Sequence, residues 1–271
     1  MVLPFIHSFG AIWRFRGYQP QSVTPLTLFR WLRQFPAGDR MEIARLLDYI
    51  VFYREDEVRR DLVELNRGLL EKLASAGVAN RQIIYVEIDE PGSSSGAMLH
   101  MLRDTMLLQN LGVHFLNYRD LRGLSDKTGR LKSGAIIYID DFSGSGDQLV
   151  DSRKFATEFI QGDFSEFFLV PYVCQEALHR IQRLGVECVT KHVHRPEERP
   201  LHETSNLLPS ETRHRLIEIS GEVRSYAVLG HERLASMVVV YSNCPDTVPV
   251  ILRGSEAQRP YKGLFPRTTD F

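Results

Sequence analysis

The sequence predicts an α/β fold, a mostly parallel sheet with helices on both faces and a helical extension at its N-terminus. Three observations carry this. The first 80 residues have apolar positions at helical spacing, with no strand-like run of comparable length. From Arg81 onward, short β-branched runs alternate with loops and amphipathic stretches. Two of those runs, Ile83 to Ile88 and Ile136 to Asp140, lead into Gly/Ser-rich turns.

In the extension, Pro25 suits the first turn of a helix carrying Leu28, Trp31 and Leu32, and Phe35-Pro36 ends it. Met41 to Tyr53 repeats the helical spacing through Ile43, Leu46, Leu47 and Ile50. Asp56 to Ala74 does so again through Val58, Leu62, Leu65, Leu69, Leu70 and Leu73. These read as core-facing helices of a cap, residues 1–80, in preference to a DNA-reading helix-turn-helix. The remainder, 81–271, reads as the α/β domain with a C-terminal strand segment. Its expected strands are Ile83–Ile88, Val113–Asn117, Ala135–Asp140, Phe167–Val173, Val186–Thr190 and Met237–Tyr241, with helices over Ala97–Gln109 and Glu176–Leu184. Lys191 to Arg215 is long and polar, a lid or a mobile surface loop.

Composition excludes several classes. The apolar fraction is 43% and the charged fraction 25%, which is ordinary for a globular chain and argues against bulk disorder. A net charge of −1 gives no support to general nucleic-acid binding, although a local basic face stays open. Cys174, Cys188 and Cys244 form no C-x-x-C pair and no even disulfide set, which suits a reducing compartment. No run of about 18 apolar residues is present, so no membrane span is expected. The opening segment lacks the basic region and small-residue cleavage site of a secretory signal, and the expected location is the cytoplasm.

The chemistry concentrates in Ile136 to Gln148. Asp140 and Asp141 stand at the end of a buried strand, where two carboxylates can accept hydrogen bonds from the vicinal hydroxyls of a ribose. Gly144 and Gly146 permit a tight turn close to a ligand. Backbone N–H groups with the Ser143 and Ser145 hydroxyls can surround a phosphate, and the helix that begins near Asp147 and Gln148 adds its positive end. A carboxylate this close to a phosphate is costly, so Asp147 is expected to turn outward as an N-cap. The earlier loop, Pro91 to Gly96, offers Ser93, Ser94, Ser95 and Gly96 as pyrophosphate donors, but holds no Arg or Lys. An ordinary capped α/β turn is the alternative for the main loop. A dinucleotide or P-loop site is not supported, since no G-x-G-x-x-G follows a strand and no Gly-Lys-Ser/Thr occurs.

The apolar strand, acidic pair and Ser145-Gly146 turn resemble the phosphoribosyl pyrophosphate motif of phosphoribosyltransferases, with Asp147 and Gln148 where that family has Gly or Thr. Three further segments extend the likeness along the chain: Trp31-Leu32-Arg33-Gln34-Phe35, Tyr241 to Pro249, and Leu264-Phe265-Pro266-Arg267. With Asp140 to Gly146 they resemble the bacterial phosphoribosyltransferase-like proteins of conflict systems. The resemblance implies a sheet of phosphoribosyltransferase type and a nucleotide or phosphoribosyl ligand held by Asp140, Asp141, Ser143 to Gln148 and Ser93 to Gly96. It implies Mg²⁺ entering with phosphoribosyl pyrophosphate, and a role in anti-phage defence as an effector or its regulator. It also implies a protein partner encoded in the same operon, a reverse transcriptase complex among the candidates. A non-catalytic sensor of nucleotides with the same fold is the alternative. A nucleic-acid-associated component using the helical N-terminus is a third, weaker reading, and the near-neutral charge argues against direct nucleic-acid binding.

Other groups point less far. Cys188, His192, His194 and His202 fit no standard zinc spacing, and no metal site is assigned to them. Cys174 reads as a buried thiol. Lys127, Arg130 and Lys132 precede the central strand as a solvated face or as positive charge for a diphosphate. Asn243 and Arg253 are placed near a substrate only by the resemblance.

Overall fold

The structure is a computed structural model that describes residues 10–88, 94–116, 131–160, 162–223, 227–253 and 261–267. The chain forms two compact units, one of Met1–Glu55 with Arg195–Phe271 and one of Asp56–His194. The change of character at Arg81 is therefore not where compactness divides the chain.

In the first unit, helix α1 (Pro25–Arg33) starts where the sequence places it. The Thr27 amide donates to Thr24 Oγ1 at 3.2 Å, and the Thr24 amide donates to Thr27 Oγ1 at 2.8 Å. Pro25 fills the first helical position, where no N–H is needed. Leu28 and Trp31 are buried, and the Trp31 indole donates to the Ile251 carbonyl at 3.0 Å. The expected single helix over Met41 to Tyr53 is corrected. Helix α2 (Arg40–Arg45) gives way to a 3-10 turn, Leu46–Tyr49, and then to strand β1 (Val51–Tyr53). Val51, Phe52 and Tyr53 pair in parallel with Val238, Val239 and Val240. β-branched and aromatic residues take the extended form once a partner strand lies beside them, whatever their local spacing suggests.

The second unit begins with the long helix α3 (Glu55–Ser75). Then follow β2 (Ile83–Glu87), α4 (Ser94–Met106), β3 (His114–Leu116) and β4 (Ser133–Ile139). After them come β5 (Phe142–Ser143), α5 (Asp147–Phe159), β6 (Asp163–Leu169), β7 (Tyr172–Cys174), α6 (Gln175–Arg183), β8 (Glu187–Val189) and β9 (His192–His194). The main sheet has the order β3-β2-β4-β6-β8, and every pairing in it is parallel. The expected α/β class with a parallel sheet is the one observed.

Strands β2 and β4 are almost wholly buried, which is why they read as unbroken apolar runs. On one face Ile84, Val86, Ile136, Tyr138 and Phe168 pack with Leu149 and Ala156 of α5 and Ala177 and Ile181 of α6. On the other, Tyr85 donates to Asn66 Oδ1 of α3 at 2.7 Å, and Asn66 Nδ2 reaches the Met106 sulfur of α4 at 3.2 Å. Helices therefore cover both faces.

A second, three-stranded sheet of order β5-β7-β9 continues the first. Each of β4, β6 and β8 breaks for two residues and resumes in it. The expected single strand Phe167 to Val173 is thus two strands, interrupted at Val170-Pro171. Pro171 has no N–H for a ladder. Its carbonyl instead accepts from the amides of Lys191 at 2.9 Å and His192 at 3.1 Å, which ties the parallel breaks together.

Buried Asp61 of α3 holds β7 in place. The Tyr172 hydroxyl donates to Asp61 Oδ2 at 2.9 Å, and Arg60 Nε donates to Oδ1 at 3.1 Å. Tyr172→Phe is expected to cost about 1.5–3 kcal/mol, because it takes a donor from a buried carboxylate. Urea unfolding of the variant against wild type measures it, and an unchanged midpoint would assign Asp61 no anchoring role.

The polar segment Lys191 to Arg215 is not a long loop. It contains β9, a 3-10 turn at Pro196–Glu198 and the start of helix α7 (Ser210–Val223). Arg199, 2% exposed, donates to the Leu234 carbonyl at 3.1 Å. The first unit is completed by β10 (Val238–Val240), the partner of β1. Phe265 of the C-terminal motif is fully buried, with its ring edge-on to Phe15 at 5.1 Å and Tyr18 at 5.3 Å. No helix among the described residues is long and apolar enough to cross a membrane.

Candidate functional site

Asp140 and Asp141 stand in the break between β4 and β5, at the carboxyl end of the main sheet. The chain leaves β2 toward β3 on one side and leaves β4 toward β6 on the other. The crevice between β2 and β4 is therefore the topological switch point, where open parallel sheets take their ligands. Ser94, at the start of the helix after β2, meets Asp140 there: its hydroxyl donates to Asp140 Oδ1 at 2.8 Å.

Asp140 is 2% exposed and Asp141 5%. The Asp140 amide donates to the Leu169 carbonyl of β6 at 3.2 Å, so the first residue past β4 stays tied to the sheet. Its Oδ1 also accepts the Asp141 amide at 2.9 Å. Burial holds the Asp140 carboxyl well above the usual carboxylate range, and the charge of Asp141 adds to this. The Ser94 and Asp141 donors act in the opposite direction.

The turn that follows is anchored on both sides. Phe142 and Ser143 pair with Tyr172 and Val173 of β7. Ser143 and Ser145 are mostly buried, Gly144 is half-buried and Gln148 is exposed. Gly146 caps α5 with φ of 85°, in the left-handed region that glycine adopts without penalty. The expectation that Asp147 is the N-cap is corrected. Gly146 is the cap, and Asp147 is the first helical residue. Asp147 Oδ2 accepts the Ser145 hydroxyl at 2.9 Å, and the Asp147 amide donates back to Ser145 Oγ at 3.3 Å.

The sequence reading missed Arg180. From α6 it donates to the Ser145 carbonyl at 3.1 Å and forms an ion pair with Asp147. It sits 33 residues from Asp147 in sequence, so only the packing of α6 beside α5 reveals the pair. Glu87 was missed as well. It ends β2 in register with Ile139, and its carboxylate lies 3.4 Å from the place a Cβ on Gly96 would take.

Pro91 to Ser93 lie outside the described residues, so the expectation for Ser93 concerns a part of the chain that is not described. Ser94, Ser95 and Gly96 form the first turn of α4 instead of a free loop. Ser95 is fully buried. Its hydroxyl donates to the Ile139 carbonyl at 2.7 Å and accepts the Ile88 amide at 2.9 Å. It fastens the start of α4 to the ends of β2 and β4, which sets Ser94 beside Asp140.

Of the basic residues before the central strand, only Lys132 is described, and it does not reach this edge. Lys127 and Arg130 are outside the described residues. Lys132 precedes Ser133, at the opposite end of the seven-residue β4, roughly 23 Å away at about 3.3 Å per residue. Cys174 is fully buried, and burial pushes the Cys188 thiol up to about 12, which favours the neutral thiol over a thiolate ligand.

A family model described as PRTase-CE matches residues 28–267 of the chain. No curated protein matches it. Among solved structures, orotate phosphoribosyltransferase from Aeropyrum pernix aligns with a TM-score of 0.33 and 15% identity, over 49% of this chain and 68% of that one. A hypothetical protein from Neisseria gonorrhoeae, crystallised with bound ppGpp, aligns with a TM-score of 0.36 and 16% identity, over 62% of this chain and 96% of that one.

Proposed function

The chain belongs to the PRTase-CE family, and from that premise we propose that its switch-point crevice binds a ribose 5-phosphate-containing ligand. The observation that carries the reading is the buried pair Asp140 and Asp141, presented beside Ser94 at the end of the central strand. Two carboxylates there accept the ribose 2- and 3-hydroxyls. The Ser143 to Gly146 turn, with the start of α5, receives the 5-phosphate. Ser94 and the first turn of α4 face the leaving pyrophosphate. In transfer, an acceptor's lone pair forms a new bond at C1 while the C1–oxygen bond breaks, and the electron pair leaves with pyrophosphate.

Mg²⁺ fits the donor set. Asp140 and Asp141 are hard oxygen ligands, and burial beside Asp141 disfavours the charged form of Asp140, a cost that a divalent cation would offset. When bound, the ion would neutralise pyrophosphate charge. Asp140 and Asp141 would hold it, while Ser94 keeps Asp140 oriented.

Titration calorimetry with phosphoribosyl pyrophosphate and Mg²⁺, followed by pyrophosphate release against a panel of bases, tests the reading. Absence of binding sinks it. Arg180→Gln is expected to weaken ribose 5-phosphate about tenfold, by loss of one charge-assisted hydrogen bond, and to leave ribose unchanged. Equal loss for both ligands would remove Arg180 from phosphate recognition.

Ser95 favours a second reading, a nucleotide sensor without turnover. Its hydroxyl is spent inside the protein, which leaves fewer donors for a diphosphate. Binding without pyrophosphate release would select it. In either case we place the protein in bacterial anti-phage defence, as effector or regulator acting with a partner from the same operon. The likeness of the Trp31 to Phe35, Asp140 to Gly146 and Leu264 to Arg267 segments to proteins of conflict systems supports that placement. Loss of protection against phage in a strain carrying Asp140→Asn with Asp141→Asn is the expected phenotype.

A further inference from the structure

The net charge of −1 conceals a local asymmetry. The first 38 residues hold Arg14, Arg16, Arg30 and Arg33 but no Asp or Glu, and no Lys occurs before Lys72. Arg14 is turned inward, donating to the Leu47 carbonyl, and burial lowers its pKa. The other three are exposed.

Helix α1 buries Leu28 and Trp31 on one side. Its opposite stripe is Leu26, Phe29, Arg30 and Arg33, spaced i, i+3, i+4 and i+7. Phe29 is 56% exposed, and the Arg33 guanidinium lies 5.5 Å from its ring centre. In the same unit Trp13 is 69% exposed, with the Arg16 guanidinium 3.6 Å from its ring centre. The Thr24–Thr27 cap and the Trp31 anchor keep α1 formed, so its outer face is ready before any partner arrives.

We propose that the outer face of α1 and the Trp13–Arg16 pair bind single-stranded nucleic acid. An exposed ring offers a plane on which an unpaired base stacks, and the guanidinium beside it meets the adjoining phosphate. Arginine suits both tasks because its planar fork stacks on a ring and pairs bidentately with phosphate, whereas a lysine ammonium meets phosphate only as a point charge. With no acidic residue in the segment, a phosphate backbone meets no repulsion from it. An acidic polypeptide would satisfy the guanidinium groups but has no need of flat rings. The exposed apolar side chains of α1, Leu26 and Phe29, fall far short of the roughly 800 Å² per partner of a stable protein interface.

Fluorescence anisotropy of the full chain with labelled oligo-dT of about 20 nucleotides tests this. Binding is expected to weaken with salt at a log–log slope of roughly −2, from three phosphate contacts at about −0.7 each. It should quench the emission of exposed Trp13, while buried Trp31 keeps its own. Trp13→Ala with Phe29→Ala should weaken binding at least about tenfold. Arg30→Gln with Arg33→Gln should flatten the slope by about 1.4. These side chains are exposed, so the variants should fold, and unchanged Trp31 emission with an unchanged Tm verifies it. The proposal is overturned by absence of oligo-dT binding, by binding that neither variant moves, by equal affinity for duplex DNA, or by binding of poly-L-glutamate in its place.

Discussion

Asp140→Asn with Asp141→Asn is expected to reduce affinity for phosphoribosyl pyrophosphate by at least about a hundredfold and, at neutral pH, to raise the Tm. The affinity loss follows from two hydrogen bonds to charged groups, each contributing about 1.5–3 kcal/mol. The stability gain follows from burial. Asp140 has a higher pKa in the folded protein than in the unfolded chain, where it lies near 3.9. The folded state therefore holds a proton that the unfolded state gives up. That contribution to stability is complete below the unfolded pKa and is lost as pH rises through the folded one. Above the unfolded pKa the wild type progressively loses this contribution as pH rises, and the asparagine variant, with nothing to titrate there, does not. The asparagine Oδ1 can still accept from Ser94 and from the amide of residue 141, so the local geometry is kept. Melts between pH 4 and pH 8 should show the two proteins converging in acid and separating toward neutrality, by about 2–4 °C for each kcal/mol. Parallel curves would refute the buried-carboxylate account. Tight binding by the variant would remove the acidic pair from ribose recognition. A site that weakens its own fold in this way is the usual mark of groups kept for a ligand.

Gly134→Ala is expected to unfold the protein or lower its Tm by about 10 °C or more. Gly134 is the second residue of β4, with φ of 157°, and a Cβ there would lie 2.1 Å from the Gln82 carbonyl oxygen. Gln82 immediately precedes β2, so the clash is with backbone, and no rotamer relieves it. Relief requires β2 and β4 to separate at the end where Gly134 also pairs with Phe164 of β6. A cost above roughly 3–4 kcal/mol is the scale of such a defect. The acidic pair lies at the far end of β4, so the fraction that remains folded at low temperature should bind ligand normally. Thermal melting and calorimetry separate the two effects. A loss under about 1 kcal/mol would show that the strands tolerate the separation.

Sequence patterning was enough for the central strands and the motif. Ile83 to Glu87 and Ala135 to Ile139 are apolar without interruption because both faces of a parallel sheet are covered, and that composition identifies them without coordinates. The strand followed by Asp140-Asp141 and a Gly/Ser turn was legible for the same reason, as was the Thr24-Pro25 helix start. Such features depend on neighbours in sequence.

Other features were decided by residues far apart in the chain. Val51 to Tyr53 leave the helical pattern because Val238 to Val240 lie beside them. Phe167 to Cys174 divides into two strands because Lys191 and His192 hold the carbonyl of Pro171. Asp147 is not the cap it resembles, since Gly146 takes the left-handed position and Arg180 supplies the counter-charge. Local patterning is enough to give the class of sheet and the position of its acidic pair. The depth at which that pair is buried, its meeting with Ser94, and the cation that α6 brings to the turn arise in the folded chain, because burial and electrostatics depend on distances that chain spacing does not encode.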